Sequence, residues 1–293
     1  MDTCADLESF FDLIDHSWLI KFLELRIGDN RILRLIRKWL HAGVIEEGIW
    51  HSSEEGTAQG SGISPLLANV FLHYVFDLWI DWWRNQPGRG DVVVVRYCDD
   101  FVIGFESERA AKQCMEDLGV RLAKFGLKLN ESKTRLIEFG RYAIERRKRK
   151  GLRRPEPFDF LGFTHQCSKT RTNGWFTIRR ISIARRMRLK LQAIRQKLLQ
   201  RRHVPVEDTG RWLRSVVQGW LNYHGVPGNS KRLGQFVDIA TRHWLRQLRR
   251  RSQRDRFPWK RMHAFVRRWL PRPRVCHPYP DKRFHARLAA RAV

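Results

Sequence analysis

The sequence predicts an α+β protein in which an antiparallel sheet with covering helices is followed by an all-helical part. Residues 92–105 carry β-branched and aromatic side chains on both sides of a short polar break, which is typical of strand, tight turn and strand. From Ser182 onward the apolar residues recur at helical spacing, and hydrophobic residues make up 42% of the chain, enough for a sizeable core. The apolar face of that helical stretch consists of Ile183, Met187, Leu191, Ile194 and Leu198.

The first elements after the N-terminus are predicted to be helical. Residues 15–26 form an amphipathic stretch, and Asn30 is placed as the cap of a second helix over residues 31–40. Residues 44–50 alternate loosely between apolar and polar side chains, as the strands of an edge hairpin do.

A glycine-rich segment, residues 56–63, is predicted to be a flexible loop. Ser64 and Pro65 follow it as an N-cap and first-turn pair, so a helix is predicted to run to about residue 83. This helix is apolar almost all round and should therefore be buried. Residues 107–125 carry apolar side chains at helical spacing and predict another helix.

Short strands and a basic loop are predicted between residues 134 and 180. Residues 134–139, 158–163 and 175–178 read as strands, and the Arg- and Lys-rich residues 146–154 as a mobile loop. The boundary between the mixed part and the helical part is predicted near residue 180, where helical periodicity begins.

The charge of the chain is distributed very unevenly. Residues 1–140 hold 16 Lys and Arg against 22 Asp and Glu, a net charge of −6, whereas residues 141–293 hold 41 against 8, a net charge of +33. Such a density of positive charge repels itself unless a polyanion neutralises it, which is the electrostatic pattern of a nucleic-acid-binding protein. A merely solvated basic surface is the alternative.

Other classes of protein are excluded by composition. The five cysteines are scattered and form no C-x-x-C pair, so neither a disulfide framework nor a zinc ribbon is expected. No run of about 18 apolar residues occurs, and the acidic N-terminus lacks the apolar core of a signal peptide. We therefore expect a protein of the reducing cytoplasm with no membrane span.

Tyr97-Cys98-Asp99-Asp100 is the most informative segment of the chain, because it places two adjacent carboxylates at a hairpin tip. Crowded carboxylates repel each other and favour protonation unless a cation compensates them. Mg²⁺ prefers hard oxygen ligands and would resolve that conflict. The alternative, for an isolated Asp-Asp pair, is a solvated turn.

The order of motifs along the chain resembles reverse transcriptases, and more narrowly the proteins encoded by bacterial group II introns. The motifs are Asp6, the Gln59-Gly60 loop, the Tyr-x-Asp-Asp hairpin, Leu129-Asn130-Glu131-Ser132-Lys133-Thr134, and Phe158-Asp159-Phe160-Leu161-Gly162-Phe163. The basic part with Gly219-Trp220-Leu221-Asn222-Tyr223-His224 resembles the maturase domain of that family. The resemblance implies a right-hand polymerase palm over residues 1–180 and a helical thumb and maturase domain over residues 181–293.

The resemblance also implies a catalytic site. Asp6, Asp99 and Asp100 would hold two Mg²⁺ ions, with the role of Asp100 less defined than that of the other two. In two-metal catalysis such ions stabilise the attacking and leaving oxygens of the displacement. The implied activity is RNA-directed DNA polymerisation from a DNA primer on an RNA template, with deoxynucleoside triphosphates as substrates.

Further residues take roles only through the resemblance. Phe11 matches the aromatic residue beneath the nucleotide sugar, and Gln59, Gly60 and Lys133 match positions near nucleotide and template. Core packing is the alternative for Phe11, an ordinary loop for Gln59 and Gly60, and a surface side chain for Lys133. The segment that grips the primer backbone corresponds to Phe160, Leu161 and Gly162, which alternatively belong to ordinary sheet core.

The resemblance implies that the cationic helix after residue 182 binds group II intron RNA, and its many Arg side chains suit this role because a guanidinium can donate two hydrogen bonds to one phosphate. Salt-sensitive binding to structured RNA is expected. The side chains concerned are Arg185, Arg186, Arg188, Arg195, Lys197, Arg201 and Arg202.

Asp6 lies almost at the start of the sequence, whereas a fingers region precedes it in the resembled family. We therefore expect a chain in which the fingers are largely absent. The leading hypothesis is a reverse transcriptase and intron RNA maturase of the bacterial cytoplasm. The alternatives are a non-enzymatic RNA-binding splicing cofactor, and an inactive truncated fragment. The sequence leaves the oligomeric state open.

Overall fold

The computed structural model describes residues 2–5, 10–41, 44–46, 49–51, 63–130, 132, 134–170, 173–251 and 257–279. The chain divides into two compact units, Met1–Glu156 and Pro157–Val293. This division follows contacts within the chain, and the functional boundary predicted near residue 180 remains a prediction.

The first unit is built on a four-stranded antiparallel sheet with strand order β4-β5-β1-β6. The central strand β1 pairs with β5 on one side and with β6 on the other. Strands β2 and β3 confirm the hairpin predicted from the alternation of residues 44–50, but they form a two-stranded sheet of their own and not the edge of the larger sheet. The strands are β1 (Asp2–Ala5), β2 (Val44–Glu46), β3 (Ile49–His51), β4 (Val92–Tyr97), β5 (Asp100–Phe105) and β6 (Arg135–Ile137).

One face of this sheet is covered by helices. Phe101, Ile103 and Phe105 of β5 belong to the buried core, together with apolar side chains from the surrounding helices. The helices are α1 (His16–Glu24), α2 (Asn30–His41), α3 (Ser64–Leu72), α4 (Leu78–Arg84), α5 (Glu108–Ala123) and α6 (Ala143–Arg149).

The start of α2 differs from the prediction. The cap is Asp29, whose Oδ1 accepts the backbone N–H of Arg31 at 2.8 Å, and Asn30 is the first helical residue. A carboxylate is favoured here because it satisfies a free N–H and interacts with the positive end of the helix dipole.

The helix predicted from about Pro65 to Trp83 is interrupted. A π-helical turn, His73–Asp77, separates α3 from α4. Ser64 is the first helical residue, and Ile63 takes the cap position that we predicted for Ser64. Complete burial was also wrong, because Leu66, Leu78 and Trp82 are exposed and only the opposite side packs into the core.

Residues 146–154 were predicted to be a mobile loop, but α6 occupies the first part of this segment. The carboxylate of Glu138 lies 3.4 Å from Arg146 Nε and 3.9 Å from Arg147 Nη1. Tertiary pairing with Glu138 therefore offsets the repulsion between neighbouring cations, which the local sequence could not reveal.

The second unit begins with a three-stranded antiparallel sheet, β7 (Phe158–Phe160), β8 (Phe163–Lys169) and β9 (Phe176–Ser182). The single strand predicted over residues 158–163 is in fact two strands joined by a two-residue turn. Leu161 and Gly162 form that turn with φ of 47° and 80°. Positive φ at both central positions is what a tight hairpin requires.

From Ala184 onward every regular element that the structure describes is a helix, as predicted. Side chains of all four helices share one core. Helices α7 and α9 run parallel. Ser182 N–H, before α7, donates to Asn229 Oδ1, before α9, and Arg251 Nη2, after α9, donates to Val204 O, after α7. The helices are α7 (Ala184–Gln200), α8 (Val206–His224), α9 (Ser230–Arg249) and α10 (Trp259–Trp269).

Candidate active site and nucleic-acid surface

The two adjacent carboxylates lie at a tight hairpin, as the sequence predicts. Tyr97 at the end of β4 pairs with Asp100 at the start of β5, so Cys98 and Asp99 form a two-residue turn. Cys98 has a φ of 53°, which residues other than glycine rarely adopt. Asp99 and Asp100 are both half-buried. The strained turn therefore presents its carboxylates at one end of the sheet.

The guanidinium of Arg96 holds this turn from within the molecule. Its Nε and Nη2 donate to the two carboxylate oxygens of Asp77 at 2.6 and 2.5 Å. Its Nη1 donates to Asn69 Oδ1 and to the carbonyl oxygen of Cys98, both at 2.9 Å. The side chain of Arg96 is only 14% exposed. Bidentate pairing of this kind fixes position as well as charge.

The partners of Arg96 come from the interrupted helix. Asn69 lies in α3, where its Nδ2 also donates to Pro65 O at 2.8 Å, and Asp77 ends the π-helical turn. His73 Nδ1 lies 3.6 Å from the Asp77 carboxylate. A π-helical turn is an infrequent feature that occurs often at functional sites. Here it supplies the carboxylate that anchors the hairpin.

Sequence reasoning did not identify Arg96, Asp77 or Asn69 as site residues. Arg96 could have been identified, because it lies next to the predicted turn in an apolar strand, where a buried cation needs a partner. Nothing in the local sequence indicated that its partners would be residues 19 and 27 positions earlier.

The sheet face that carries Asp100 is open. Cross-strand pairs share a face, so Asp100 lies on the side of Tyr97, Val95 and Val93, all of which are exposed, Tyr97 by 63%. The opposite face packs on the helices. An uncovered apolar surface thus extends from the carboxylates along the edge strand.

Several predicted site residues lie outside the described residues, namely Asp6, Gln59, Gly60 and Lys133. Strand β1 is described up to Ala5, which pairs with Phe101, the residue after Asp100. Within the described part of the chain, no group of three or more His, Cys, Asp or Glu side chains lies close enough to hold a metal ion.

Phe11 lies in a short 3₁₀ turn, Phe10–Asp12, and is half-buried. Its ring contacts Phe10 edge to face at 5.4 Å between centroids, and it packs on the core of the first unit. Core packing therefore accounts for part of its surface, and a contact with nucleotide remains a prediction.

The predicted primer-grip segment is a turn held by α8. Tyr223 Oη donates to the carbonyl oxygen of Leu161 at 2.8 Å, and the N–H of Ile183 donates to that of Gly162 at 3.1 Å. A β-carbon at Gly162 would lie 3.5 Å from the Tyr223 ring. The turn is thus rigidly positioned, and its contact with primer remains a prediction.

A polar network lies beside this turn. Ser182 Oγ and His224 Nδ1 are 2.9 Å apart, and the buried Asn229 donates from Nδ2 to Ser182 Oγ and to His224 O. The His224 ring also stacks on Trp220 at 4.3 Å. Burial, and secondarily the nearby charge of Arg186, lower the pKa of His224 to about 4.

This shift predicts a pH dependence of stability. A histidine with a lowered folded-state pKa takes up a proton more readily when the chain unfolds, so stability is complete above about pH 6.5 and falls towards pH 4. Because the ring is only partly buried, we expect a loss of about 1 to 2 kcal/mol. Denaturant unfolding at pH 7.5 and 5 measures it, and His224→Gln should reduce the difference. An unchanged difference in that variant would contradict the assignment.

The predicted RNA-binding side chains differ in exposure. Arg185, Arg186, Arg188, Arg195 and Lys197 are exposed on α7, whereas Arg201 and Arg202 are half-buried at its end. Arg201 lies over the Trp212 ring, 5.4 Å from its centroid.

Helix α9 adds charge beside α7. Burial and the charges of Arg246 and Arg195 lower the pKa of His243, so cations from both helices lie near that ring. The sequence analysis missed Arg246, because the parallel alignment of α7 and α9 follows from tertiary packing.

Comparison with known proteins gives the family. Residues 2–165 match the family described as reverse transcriptase (RNA-dependent DNA polymerase), and residues 185–270 match the group II intron, maturase-specific domain. Enzymes of the first family depend on divalent metal ions. No helix in the described part of the chain is sufficiently long and apolar to cross a membrane.

Individual relatives agree with these matches. Protein YkfC of Escherichia coli is 31% identical over 50% of this chain and 48% of its own length. Group II intron-encoded protein LtrA of Lactococcus lactis is 40% identical over 29% of this chain and 15% of its own length. The chain thus spans about half, or less, of the length of these curated relatives.

A telomerase from Candida albicans, solved with a fragment of telomeric RNA, superimposes on 91% of this chain and 47% of its own, with 14% identity and a TM-score of 0.44. This likeness is too distant to carry weight. The family matches together cover most of the sequence, in the order that the motifs predicted. The first match alone covers more than half of the chain, and the chain therefore belongs to the reverse transcriptase family.

Proposed function

We propose that this chain carries the palm of an RNA-directed DNA polymerase together with a maturase domain that binds group II intron RNA. The observation that carries the proposal is the hairpin in which Asp99 of the turn is followed by Asp100, the first residue of β5, on the same sheet face as the exposed Tyr97 and Val95. The family matches over residues 2–165 and 185–270 support it.

The donor set at the turn suits a hard divalent cation. Asp99 and Asp100 supply carboxylate oxygens, the ligands that Mg²⁺ prefers, and Asp6 follows a strand that pairs beside Asp100. We propose that these three carboxylates hold two Mg²⁺ ions. Bound ions would supply activation of the primer 3′-hydroxyl and stabilisation of charge on the triphosphate.

The surrounding residues have supporting roles in the proposal. Arg96 keeps the Cys98 carbonyl in place and so orients the peptide that leads into Asp99. The exposed Tyr97 and Val95 offer a surface for the primer–template duplex beside the carboxylates. Phe160, Leu161 and Gly162 would contact the primer backbone, on a turn that Tyr223 makes rigid.

Primer extension tests the enzymatic part. The purified chain with Mg²⁺, a DNA primer annealed to an RNA template and deoxynucleoside triphosphates should extend the primer, and extension should require the RNA strand. A folded chain that gives no extension contradicts polymerase activity. If that chain still promoted intron splicing, the non-enzymatic splicing cofactor would be the correct assignment.

RNA binding by α7 gives a separate prediction. Replacing Arg185, Arg188 and Arg195 with Gln should lower affinity for intron RNA and reduce the salt slope by about 2 to 3, since each phosphate contact contributes somewhat under one unit. Binding measured at several salt concentrations gives that slope. The matched control removes three exposed cations from α2 (Arg31, Arg34 and Lys38). Equal effects of the two triple variants would contradict an RNA site on α7.

A further inference from the structure

The hairpin of β8 and β9 carries a tryptophan directly before β9 whose side chain is largely in solvent. Trp175 is 71% exposed, the highest exposure among the large hydrophobic side chains of the described residues. Exposing an indole forfeits the free energy of burying a large aromatic surface. A tryptophan on a polar hairpin therefore suggests a ligand that covers it.

The backbone around Trp175 is firmly held. The N–H of Trp175 donates to Thr170 Oγ1 at 3.0 Å, and its carbonyl oxygen accepts the N–H of Thr170 at 2.7 Å. Gly174, with a φ of 66°, donates its N–H to Thr170 O at 3.2 Å. The backbone of Trp175 is thus fixed to that of Thr170 at the ends of the two strands.

Register places polar side chains on the same face as Trp175. Alternation puts Thr177 and Arg179 of β9 on that face. Their cross-strand partners in β8, Ser168 and Gln166, lie on the same face. We call this set, with Trp175, the hairpin face. It is distinct from the side on which Phe163 and Ser182 meet α8.

The groups on the hairpin face are those that recognise a nucleic-acid strand. Hydroxyl, amide and guanidinium groups are the usual donors to phosphate and sugar. An exposed aromatic ring is the usual platform for an unpaired base. Arg179 is exposed and takes part in no salt bridge among the described residues.

The charge around the hairpin face favours a polyanion. Residues 160–206 contain 12 Lys and Arg and not one Asp or Glu. Within strands β7, β8 and β9, all of which the structure describes, the only carboxylate is that of Asp159, which accepts from Thr164 Oγ1 at 2.6 Å. Asp159 lies about 20 Å along the strands from the Thr170–Trp175 pair, at about 3.3 Å per residue. The strands themselves therefore place no negative charge beside Trp175.

We propose that the hairpin face binds single-stranded nucleic acid, with an unpaired base stacked on Trp175 and the backbone phosphates on Arg179. The hairpin face shares no residue with the α7 cations or with the carboxylate turn. It rests on the proposed function only in the class of ligand, because its binding needs neither metal ions nor polymerisation.

Binding of a labelled oligouridine of about twelve nucleotides, within the range of known single-strand sites, tests the proposal on the full chain without Mg²⁺. Trp175→Ala should raise the Kd about 5- to 100-fold, the usual effect of losing one stacked base. Trp175→Phe should stay within about threefold of the unchanged chain, because an aromatic ring is retained. Arg179→Gln should lower the salt slope by about 0.7.

The matched control is Trp82→Ala on α4, which removes an indole that is 59% exposed in the first unit, where Lys and Arg are balanced by an equal number of Asp and Glu. It should leave the Kd unchanged. The proposal fails if the folded Trp175→Ala variant binds oligouridine as tightly as the unchanged chain does. It also fails if this variant loses as much affinity for duplex RNA as for oligouridine, or if polyglutamate competes for the site as well as RNA does. If the unchanged chain gave the expected binding results but did not extend a primer, only the polymerase proposal would be refuted.

Discussion

Primer extension by the Asp99→Asn variant is expected to fall at least about a thousandfold, equivalent to about 4 kcal/mol of transition-state stabilisation. Asn keeps the shape of the side chain but removes the negative charge and one strong oxygen ligand. Because Asp99 is a half-buried turn residue outside the core, stability should change little. Single-turnover extension on an RNA template measures the effect.

The control for this prediction is Asp81→Asn, which removes an exposed carboxylate from α4 that pairs only with Arg84 among the described salt bridges. Extension by this variant should match that of the unchanged chain, and intron RNA binding should be unaffected in both. Extension by Asp99→Asn at the original rate would contradict the assignment of metal ions to the turn.

Arg96→Leu is expected to reduce both stability and activity. It leaves the Asp77 carboxylate partly buried without its cation, and breaking such a pair costs about 3 kcal/mol or somewhat less where water still reaches it. It also removes the donor to the Cys98 carbonyl, so the strained turn loses its anchor. Denaturant unfolding and primer extension measure the two effects separately.

A second replacement separates positioning from stability. In the double variant Arg96→Leu with Asp77→Leu, no unpaired charge remains, and much of the lost stability should return. Extension should remain low, with kcat reduced more than the KM for nucleotide is raised. The matched control is Arg84→Leu, which breaks a surface pair worth no more than about 1 kcal/mol. Recovery of primer extension in the double variant would show that Arg96 supports activity only by stabilising the fold and not by positioning the turn.

Local sequence patterns correctly predicted the hairpin at residues 97–100, the helices α1, α2, α5 and α7, and the helical character of the chain after residue 182. Their signals are short-range: alternation of side chains, helical spacing and turn residues act between near neighbours. On α7 the predicted apolar residues Met187, Leu191, Ile194 and Leu198 are all buried, whereas Ile183, predicted on the same face, is the half-buried N-cap of the helix. Long-range pairings produced the differences, as α6 shows through Glu138.

The sequence by itself determined the fold class, the family and the adjacent carboxylates, because these depend on residue identity and order. Only the tertiary structure decided that Arg96 anchors the turn through Asp77 and that Trp175 stands on a polar hairpin face. The physical reason is that both features depend on packing and strand register. These bring together residues far apart in the chain, and no local pattern encodes such distances.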